Sequence, residues 1–515
     1  MVTRVCVTLA GLLLVLRLPS LVQPMGPDQG LYAYVGERIL HGELAYRDAW
    51  DQKPPGIHYV YALLRYVWPT DAAVAAADLI AAVLVAVFLW MLGTRLGGPL
   101  AGGAAAVLFL LLSDPSFARY GGVRVRSQCE TFIALLTTAA LTLAVTDGQQ
   151  GPRARRLVLS GLLLGAVFML KYNAGIYAIV VIVAIVLTSG LTRRDVALVA
   201  AGTLIIPLTL FAVFLRGAAL NDLYRATIAY NVRYSGETYS GPVEMLSYLV
   251  RFPIQHARVD ALWFVGGLGC LVLLGAALRT RSAWVPLVWV ATACLSVAIN
   301  GSRGLPQYFV QAGPALALAA GVAGAIVLPR MPRVLSGVVV LAVAVGVWRV
   351  NDFSKLASNV SHDLRYVTHQ IDWRTHRARY GGQREIDKYS ALDNADLGTM
   401  IAQHSRPEDT VYVFGFSAGA YVYGERRSAS RFFWSRPVIL DFNAKDPRYG
   451  VNGLADDLQR NRPALIILQR HDWSPDVEDS APFFLSQPTL AGILQHGYHE
   501  VPAIAGFLAW ARADR

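Results

Sequence analysis

The stretch 27–59 concentrates residues that suit chemistry on a charged substrate. It carries an acid, Asp28, near its start and the run Lys53-Pro54-Pro55-Gly56 near its end. A carboxylate can accept the proton of an attacking hydroxyl, and an ammonium group can hold an anion. The pairing of an early acid with a later lysine therefore indicates a site for transfer to or from an anionic group.

Two helices are predicted to position these side chains. Asp28 stands where an N-cap would precede the first, whose apolar residues recur at helical spacing, and Ile57 to Trp68 predicts the second. Lying on a membrane and joined by a rigid turn, they would present Asp28 and Lys53 to a shared cavity. The structural alternative is that Asp28 only caps its helix and Lys53 reaches to lipid headgroups.

A second charged segment spans 114–130 and contains Asp114, Arg124, Arg126 and Glu130. Arginine presents a planar fork to phosphate, which suits it to hold an anionic group. Asp78 stands alone inside an apolar run, where an acid is costly, and no role follows from its position.

The tail contains a pattern of a different class. Gly415-Phe416-Ser417-Ala418-Gly419 fits G-x-S-x-G after a predicted strand, and Asp472 or Asp476 and His496 or His499 follow in the order of a hydrolase triad. A membrane-tethered serine hydrolase is therefore one alternative. We expect a tight strand-to-helix turn instead, because the tail is too short for the full sheet of that fold.

The elements that carry these residues belong to a membrane protein. Hydrophobic residues make up 55% of the 515 and charged residues 16%, and mean hydropathy is +0.42. Soluble chains carry about 25% charged residues. About eleven transmembrane helices are predicted in residues 1–350, centred near 12, 82, 106, 138, 164, 182, 206, 269, 292, 317 and 342.

The distribution of charge predicts the topology. The first 350 residues hold 27 basic and 15 acidic side chains, whereas residues 351–515 hold 19 and 20, so the basic excess belongs to the apolar part and indicates no nucleic-acid surface. Arginines recur at 95, 153–156, 193–194, 279–281 and 330–333, in alternate loops. Retention of basic loops in the cytoplasm places the N-terminus inside and both charged segments and the tail outside. Arginines kept on the outer face against this bias favour an anionic ligand there.

The tail, 351–515, is predicted to be a small extracytoplasmic α/β domain. Tyr389 to Ser405 is predicted helical, Thr410 to Phe416 and Ala464 to Gln469 are predicted strands, and Glu500 to Trp510 a late strand or helix. Its expected role is structural or in acceptor recognition. No cofactor is implied, since the histidines lack metal-ligand spacing and a divalent metal has no support from the sequence.

The first 350 residues resemble a known family. The early acid, the tyrosine-rich helix and the Lys-Pro-Pro loop are similar to those of GT-C glycosyltransferases of the protein O-mannosyltransferase and lipid A aminoarabinose transferase superfamily. Three further segments agree with that resemblance: Arg126 to Glu130, Gly165 to Asn173, and Gly304 to Pro314. The tail resembles the family only loosely.

The resemblance implies roles for particular residues. Asp28 matches the catalytic acid and Lys53 the lysine beside the donor phosphate. Arg126, with Arg124, matches the basic residues that help to hold that phosphate, and Glu130 or Asp114 matches a second acid. The substrate-cavity candidates are Tyr32, Tyr59, Lys171 and Tyr308.

The chain departs from the family at two positions. Gln29 replaces the glutamate of the usual Asp-Glu pair, and Gln307 stands before Tyr308 where many relatives have histidine. A two-carboxylate site and a histidine role are therefore not implied here.

The implied reaction moves a sugar, a hexose or a pentose, from a polyprenyl-phosphate donor to an acceptor hydroxyl, with inversion, at the outer face of the plasma membrane. The acceptor would be a glycan, a lipid or a protein, and membrane lipids would be the surroundings. A transporter or flippase of a lipid-linked sugar is the alternative in another class, although no internal repeat of the transporter kind is found.

Overall fold

The computed structural model describes residues 2–117, 122–145, 152–236, 238–301, 304–381, 389–443 and 445–513. Helices dominate residues 2–350, because the sequence there supplies long runs of alanine, valine and leucine with few breaks. In a membrane, a helix satisfies its backbone hydrogen bonds within itself. This part of the chain comprises α1 (Val2–Arg17), α2 (Pro27–Leu40), α3 (Gly56–Val67), α4 (Asp71–Gly97), α5 (Pro99–Leu112), α6 (Cys129–Val145), α7 (Arg153–Leu170), α8 (Tyr177–Ser189), α9 (Arg193–Arg216), α10 (Leu220–Tyr224), α11 (Tyr230–Gly236), α12 (Pro242–His256), α13 (Ala261–Ala277), α14 (Trp284–Ile299), α15 (Gln307–Val310), α16 (Gly313–Val327) and α17 (Arg333–Val350).

Every predicted span centre falls inside one of these helices. Among the described residues, seven helices are long and apolar enough to cross a membrane, or eight if α12 and α13, bent by 110° at their junction, count as one span. Two further predicted spans, α5 and α6, are shorter apolar helices, and α7 begins with a cluster of arginines. The chain is a multi-span membrane protein, and eleven stays a prediction for the number of crossings.

The two helices predicted between the first two spans form where the sequence predicts them, as α2 and α3. The capping prediction is wrong, because Gly26 is the N-cap of α2 and Asp28 lies within the first helical turn. Pro27 opens the helix with a ring already fixed at helical φ. Most of α2 is buried, so it lies inside the protein rather than on a free surface.

The tail folds as an α/β unit, which confirms a small C-terminal sheet. Helices α18 (Phe353–Val367) and α19 (Trp373–Ala378) lead into it, followed by α20 (Ala391–His404), α21 (Gly419–Gly424), α22 (Arg436–Ile439), α23 (Gly450–Asn461), α24 (Ser480–Ser486) and α25 (Pro488–Gly497). The strands are β1 (Thr410–Phe414), β2 (Arg427–Ser428), β3 (Leu465–Gln469), β4 (Tyr498–Val501) and β5 (Phe507–Arg512).

The sheet has the order β2-β1-β3-β5-β4. β1 is parallel to β2 and β3, whereas β5 is antiparallel to both β3 and β4. The late element predicted over 500–510 is thus neither one strand nor a helix. It is the hairpin of β4 and β5, which turns at Gly506, a residue with φ of +84°.

The tail unit packs directly on α2. A Cβ on Gly30 would lie 2.8 Å from the backbone nitrogen of Gly419, so the two backbones meet without a side chain between them. The Tyr34 hydroxyl accepts a hydrogen bond from the Ser428 nitrogen at 2.9 Å. Ion pairs add to this contact at four further places: Arg377 with Asp71, Arg427 with Glu43, Arg431 with Asp222, and Arg225 with Asp446. The two parts therefore share one buried interface.

Candidate active site

The loop that carries Lys53 is held by side chains from several elements. Tyr46, in the left-handed region with φ of +70°, donates its hydroxyl to the Lys53 carbonyl at 2.8 Å. Asn231 on α11 donates its amide to the Gln52 carbonyl at 2.7 Å. The two bonds occupy the backbone carbonyls on either side of the Lys53 Cα, which fixes where the lysine side chain starts.

The same loop is clamped by the tail. The Trp50 nitrogen donates to the Arg431 carbonyl at 2.8 Å, and the Trp434 indole donates to the Trp50 carbonyl at 3.0 Å. The Trp50 ring is fully buried among the rings of Tyr230, Phe432, Trp434 and Phe442. The lysine loop is thus enclosed between the membrane helices and the C-terminal unit.

Lys53 lines a cavity of about 270 Å³. Lys171 and Tyr308, two of the predicted cavity residues, line it as well. The Lys171 ammonium lies 4.3 Å from the centre of the Tyr308 ring and is ion-paired with Glu130. The remaining wall is formed by Gln52, Pro54, Tyr172, Asn173, Thr227, Ile228, Asn231, Val232, Ile299 and Asn300.

The two lysines differ in their partners. Within the described chain, no hydrogen bond or ion pair reaches the Lys53 ammonium, whereas Lys171 is paired. Burial disfavours the charge of Lys53, but the surrounding groups, Asp28 and Glu130 among them, raise its pKa above the ordinary value. Lys53 therefore offers a cation whose donors are available to a ligand.

Asp28 lies close enough to Lys53 for the two charges to act on each other. Its Oδ2 accepts a hydrogen bond from Gln128 Nε2 at 3.3 Å, and Gln128 Oε1 accepts one from the Tyr32 hydroxyl at 3.2 Å. Burial raises the pKa of the Asp28 carboxyl, while Lys53 and Gln128 oppose the rise. A carboxylate with a raised pKa is the better proton acceptor.

A second acid, Asp51, lies behind the lysine. Burial raises the pKa of Asp51 to about 6 against the opposing effect of Lys53, and its Oδ2 lies 3.4 Å from His58 Nε2. Burial also lowers the pKa of His58 to about 3, so the imidazole is neutral. The sequence analysis assigned no role to these two residues, and only their closeness to Lys53 in the sequence could have drawn attention to them.

The loop before α6 is shaped by residues far away in sequence. Ser127 takes the left-handed conformation, with φ of +47°; its nitrogen donates to Asp78 Oδ1 at 3.1 Å and its hydroxyl to the Val74 carbonyl at 2.7 Å. Such a conformation costs about 1–3 kcal/mol and needs support from its surroundings. Asp78, which had no predicted role, thus fixes the residue that precedes Gln128.

Gln29 supports the same loop from the other side. Its amide nitrogen donates to the carbonyls of Val123 and Arg126, both at 2.7 Å. A glutamate carboxylate has no hydrogen to donate and would repel both oxygens. Glutamine in place of the glutamate of the Asp-Glu pair therefore has a structural reason in this chain.

The predicted phosphate-binding arginines do not line the cavity. Arg126 is buried, and its NH1 donates to the Ser20 hydroxyl at 3.2 Å. Arg124 is exposed, and its carbonyl accepts from Gln128. Both arginines thus lie outside the lining of the Lys53 cavity, and Arg126 is directed to Ser20.

Asp114 and Glu130, the two second-acid candidates, have different surroundings. Asp114 pairs with Arg17 at 3.1 Å; burial opposes this pairing, yet the Arg17 and Arg126 guanidinium groups hold the pKa of Asp114 below its ordinary value. Glu130 interacts electrostatically with Asp28 and Lys53. Of the two, Glu130 belongs to the site and Asp114 to a separate ion pair.

The remaining tyrosine candidates also separate. Tyr32 is buried and is linked to Asp28 by hydrogen bonds through Gln128. Its ring makes T-shaped contacts with the rings of His58 and Tyr61. Tyr59 is half-buried and does not line the cavity. Two further residues that the sequence did not predict, Gln128 and Asn231, are neutral amides, which carry no pattern that marks them before their partners are known.

The hydrolase pattern does not form a nucleophile site. Ser417 is buried and donates its hydroxyl to Gln469 Oε1 at 2.9 Å. Asp472 accepts from Ser480, His496 contacts the Gly492 carbonyl, and His499 is exposed on β4. The triad is not assembled, and Gly419 serves the close contact with Gly30.

No group of three or more histidine, cysteine, aspartate or glutamate side chains that could hold a metal ion occurs among the described residues. The four cysteines are all free thiols. The chemistry that the described site offers is that of ammonium and carboxylate groups.

Solved structures of other proteins share this fold. ArnT from Cupriavidus metallidurans bound to undecaprenyl phosphate is 17% identical over 98% of this chain and 97% of its own, with a TM-score of 0.61. The Archaeoglobus fulgidus oligosaccharyltransferase is 12% identical over 99% of this chain and 73% of its own, with a TM-score of 0.53. The archaeal oligosaccharyltransferase AglB from Archaeoglobus fulgidus, in complex with an inhibitory peptide and a dolichol-phosphate, is 12% identical over 99% of this chain and 74% of its own, with a TM-score of 0.51. Compared with family profiles and curated sequences, the chain matches none.

These similarities confirm the predicted fold class. The chain has the GT-C architecture, with a bundle of membrane helices, two helices between the first two spans and a C-terminal unit packed on them. At these sequence identities, the similarities do not assign a role to any residue.

Proposed function

We propose that this chain is a membrane glycosyltransferase that moves a sugar from a polyprenyl-phosphate donor to an acceptor hydroxyl, with inversion. The observation that carries the proposal is the electrostatic interaction of two side chains: Lys53, a cavity-lining cation without a bonded partner in the described chain, and Asp28, a half-buried carboxylate outside the lining of that cavity. The GT-C fold supports it, since the ArnT structure holds undecaprenyl phosphate and one AglB structure holds dolichol-phosphate.

Lys53 would hold the donor phosphate. The bond from the anomeric carbon to the phosphate oxygen breaks in the reaction, and the leaving phosphate gains negative charge that a fixed ammonium stabilises. We assign the second cation to Lys171 instead of Arg126 and Arg124, because Lys171 lines the cavity and neither arginine does. Its pairing with Glu130 would hold it in place when the cavity is empty.

Asp28 would act as the base. As the acceptor oxygen bonds to the anomeric carbon, its proton passes to the Asp28 carboxylate, and the lipid phosphate leaves from the opposite face of the sugar. A single displacement of this kind inverts the anomeric centre. Gln128 donates to Asp28 Oδ2, and within the described residues no hydrogen bond reaches Oδ1, so that oxygen is available to the acceptor.

The transporter alternative lacks support from the site. A carrier needs a passage to both sides, whereas Lys53 lies in a loop enclosed by the tail at one end of the helix bundle. We propose an extracytoplasmic location for the site and the tail in the plasma membrane, a hexose or pentose as the sugar, and a glycan, lipid or protein as the acceptor.

Two substitutions test the proposal when donor binding and sugar transfer are measured separately. Asp28→Asn should bind donor normally and lose about 10²–10⁴ in transfer rate, because the shape is kept and the base removed. Lys53→Ala should weaken both binding and transfer, since a charge-assisted contact is worth about 1.5–3 kcal/mol.

The exposed residues Asp456 and Lys445 provide matched controls, as Asp456→Asn and Lys445→Ala, and both should behave like the wild type. Transfer at the wild-type rate by Asp28→Asn would show that Asp28 is not the base, and Glu130 would then be the next candidate. Unchanged donor binding by Lys53→Ala would refute the phosphate assignment.

A further inference from the structure

A second, larger cavity lies apart from the site, at the same end of the helix bundle. It is a groove of about 880 Å³ between the C-terminal ends of α1, α5 and α17, with α18 as its roof. Its surface is almost entirely apolar, formed by residues that include Leu13, Leu16, Leu110, Leu356, Val360 and Leu364. The volume falls within the range of ligand cavities, about 300–1,000 Å³.

The roof helix is amphipathic and is held in place by a buried acid. Asp363 is buried and accepts hydrogen bonds from Gln23, His376 and Tyr380. Leu356, Val360 and Leu364 lie on the same and the adjoining face of the helix and line the groove, and Leu356 also packs against the buried pair Phe117 and Val125. Because the polar contacts fix α18, its apolar side stays over the groove.

The surroundings identify the bilayer as what covers this face. Of the seven long spans, α1 and α17, which form two walls of the groove, have the least buried surface, at 11% and 6% of their apolar windows. Trp348 is 67% exposed at the end of α17 and stacks on Phe353 of α18. Exposed tryptophan at the end of a span marks the membrane–water boundary. The groove therefore opens sideways to lipid at headgroup depth.

The charge at the rim selects among lipids. Arg365 lies on the rim with its side chain exposed, and no ion pair is made to it within the described chain. Ser354, Ser361, Thr368 and Gln370 supply further polar groups there. A guanidinium with neutral polar neighbours suits a phosphate that carries net negative charge.

We propose that this groove binds an anionic glycerophospholipid of the surrounding leaflet, with an acyl chain along α1 and α5 and the phosphate at Arg365. The donor lipid is a less suitable occupant, because the groove shares no lining residue with the Lys53 cavity. The Arg17–Asp114 ion pair closes its inner end. It is thus a lipid site separate from the reaction.

The test measures lipid binding to the purified full-length chain by native mass spectrometry, with phosphatidylglycerol and phosphatidylcholine as probes. We expect preferential retention of phosphatidylglycerol by the wild type. Arg365→Gln should weaken that binding about tenfold or more, the factor expected when one charge-assisted contact is lost. Lys355→Gln is the matched control, since it removes the same charge from the same helix outside the groove, and it should retain the preference.

A second variant tests whether the groove binds the acyl chain of the lipid. Ala357→Trp places a large ring where the groove-lining alanine stands, and should reduce binding of both lipids while unfolding in detergent stays unchanged. Equal retention of the two lipids by the wild type, or an equal effect of Arg365→Gln and Lys355→Gln, would overturn the proposal. Binding of polyprenyl phosphate should be unchanged in Arg365→Gln, so failure here is distinguishable from failure of the proposed reaction.

Discussion

Asp28 is oriented by residues that do not line the cavity. Gln128 binds its carboxylate, Ser127 sets the backbone before Gln128, and Asp78 fixes Ser127. None of these contacts could be predicted from the sequence, because Asp78 is 49 residues from Ser127 and Gln128 is 100 from Asp28. The Lys53-Pro54-Pro55 loop could be predicted from the sequence, because its residues are adjacent in the chain.

The first prediction concerns pH. Gln128→Met removes the donor that lowers the pKa of Asp28, so that pKa should rise further. Because the ionised carboxylate is the active form, transfer should fall on the acid side and recover at higher pH. In the pH–rate profile of kcat, the acid limb should shift to higher pH relative to the wild type. An acid limb at the wild-type pH would contradict the assignment of Asp28 as base.

The second concerns Gln29. Gln29→Glu restores the acid found in the resembled family, yet it should reduce transfer because the two carbonyls at Val123 and Arg126 lose their donor. Burying an acceptor without its donor costs about 1–3 kcal/mol. A lowered unfolding temperature of the purified protein, with lowered transfer, is expected. Higher transfer than the wild type would instead show that this site works with two acids.

At the scale of elements, prediction succeeded where pattern is local. The apolar runs gave every span centre, and strands β1 and β3 formed within two residues of their predicted bounds. Contacts between elements could not be predicted from the sequence. The orientation of Arg126 depends on Gln29 and Asp78, which come from two other helices, and the burial of α2 depends on a tail whose sequence carries no sign of that contact.

The third prediction tests the contact between α2 and α21. Gly30→Ala should destabilise the protein by about 1–3 kcal/mol, the cost of overpacking, because the new methyl meets backbone and not a movable side chain. Gly267→Ala in α13 is the control, since nothing lies within 4 Å of its Cβ position. Thermal unfolding in detergent should separate the two. Equal unfolding temperatures would show that the helices are not in backbone contact.

The whole molecule has a clear asymmetry of charge that predicts how it sits in the bilayer. Arginines stand at the starts of α7, α9 and α17, in one alternating set of connections between the spans. Asp28, Lys53 and the tail belong to the other set. The positive-inside rule assigns the arginine end to the cytoplasm.

The fourth prediction is a labelling result. In a chain whose four cysteines are replaced by serine, Ala154→Cys should resist an impermeant thiol reagent added to intact cells, and Arg460→Cys in the tail should react. Both should react after the membrane is opened. Labelling at 154 from outside would reverse the topology and move the site to the cytoplasm.

The clamp on Trp50 has a consequence for the order of events during synthesis. Its indole partner, Trp434, lies 384 residues further along the chain. At about 5–20 residues per second, the Lys53 loop waits roughly 20–80 s on the ribosome before that partner exists. A nascent or truncated chain therefore has the Lys53 loop without the enclosure that holds it, and the loop is clamped only when the last part of the polypeptide has folded over the first.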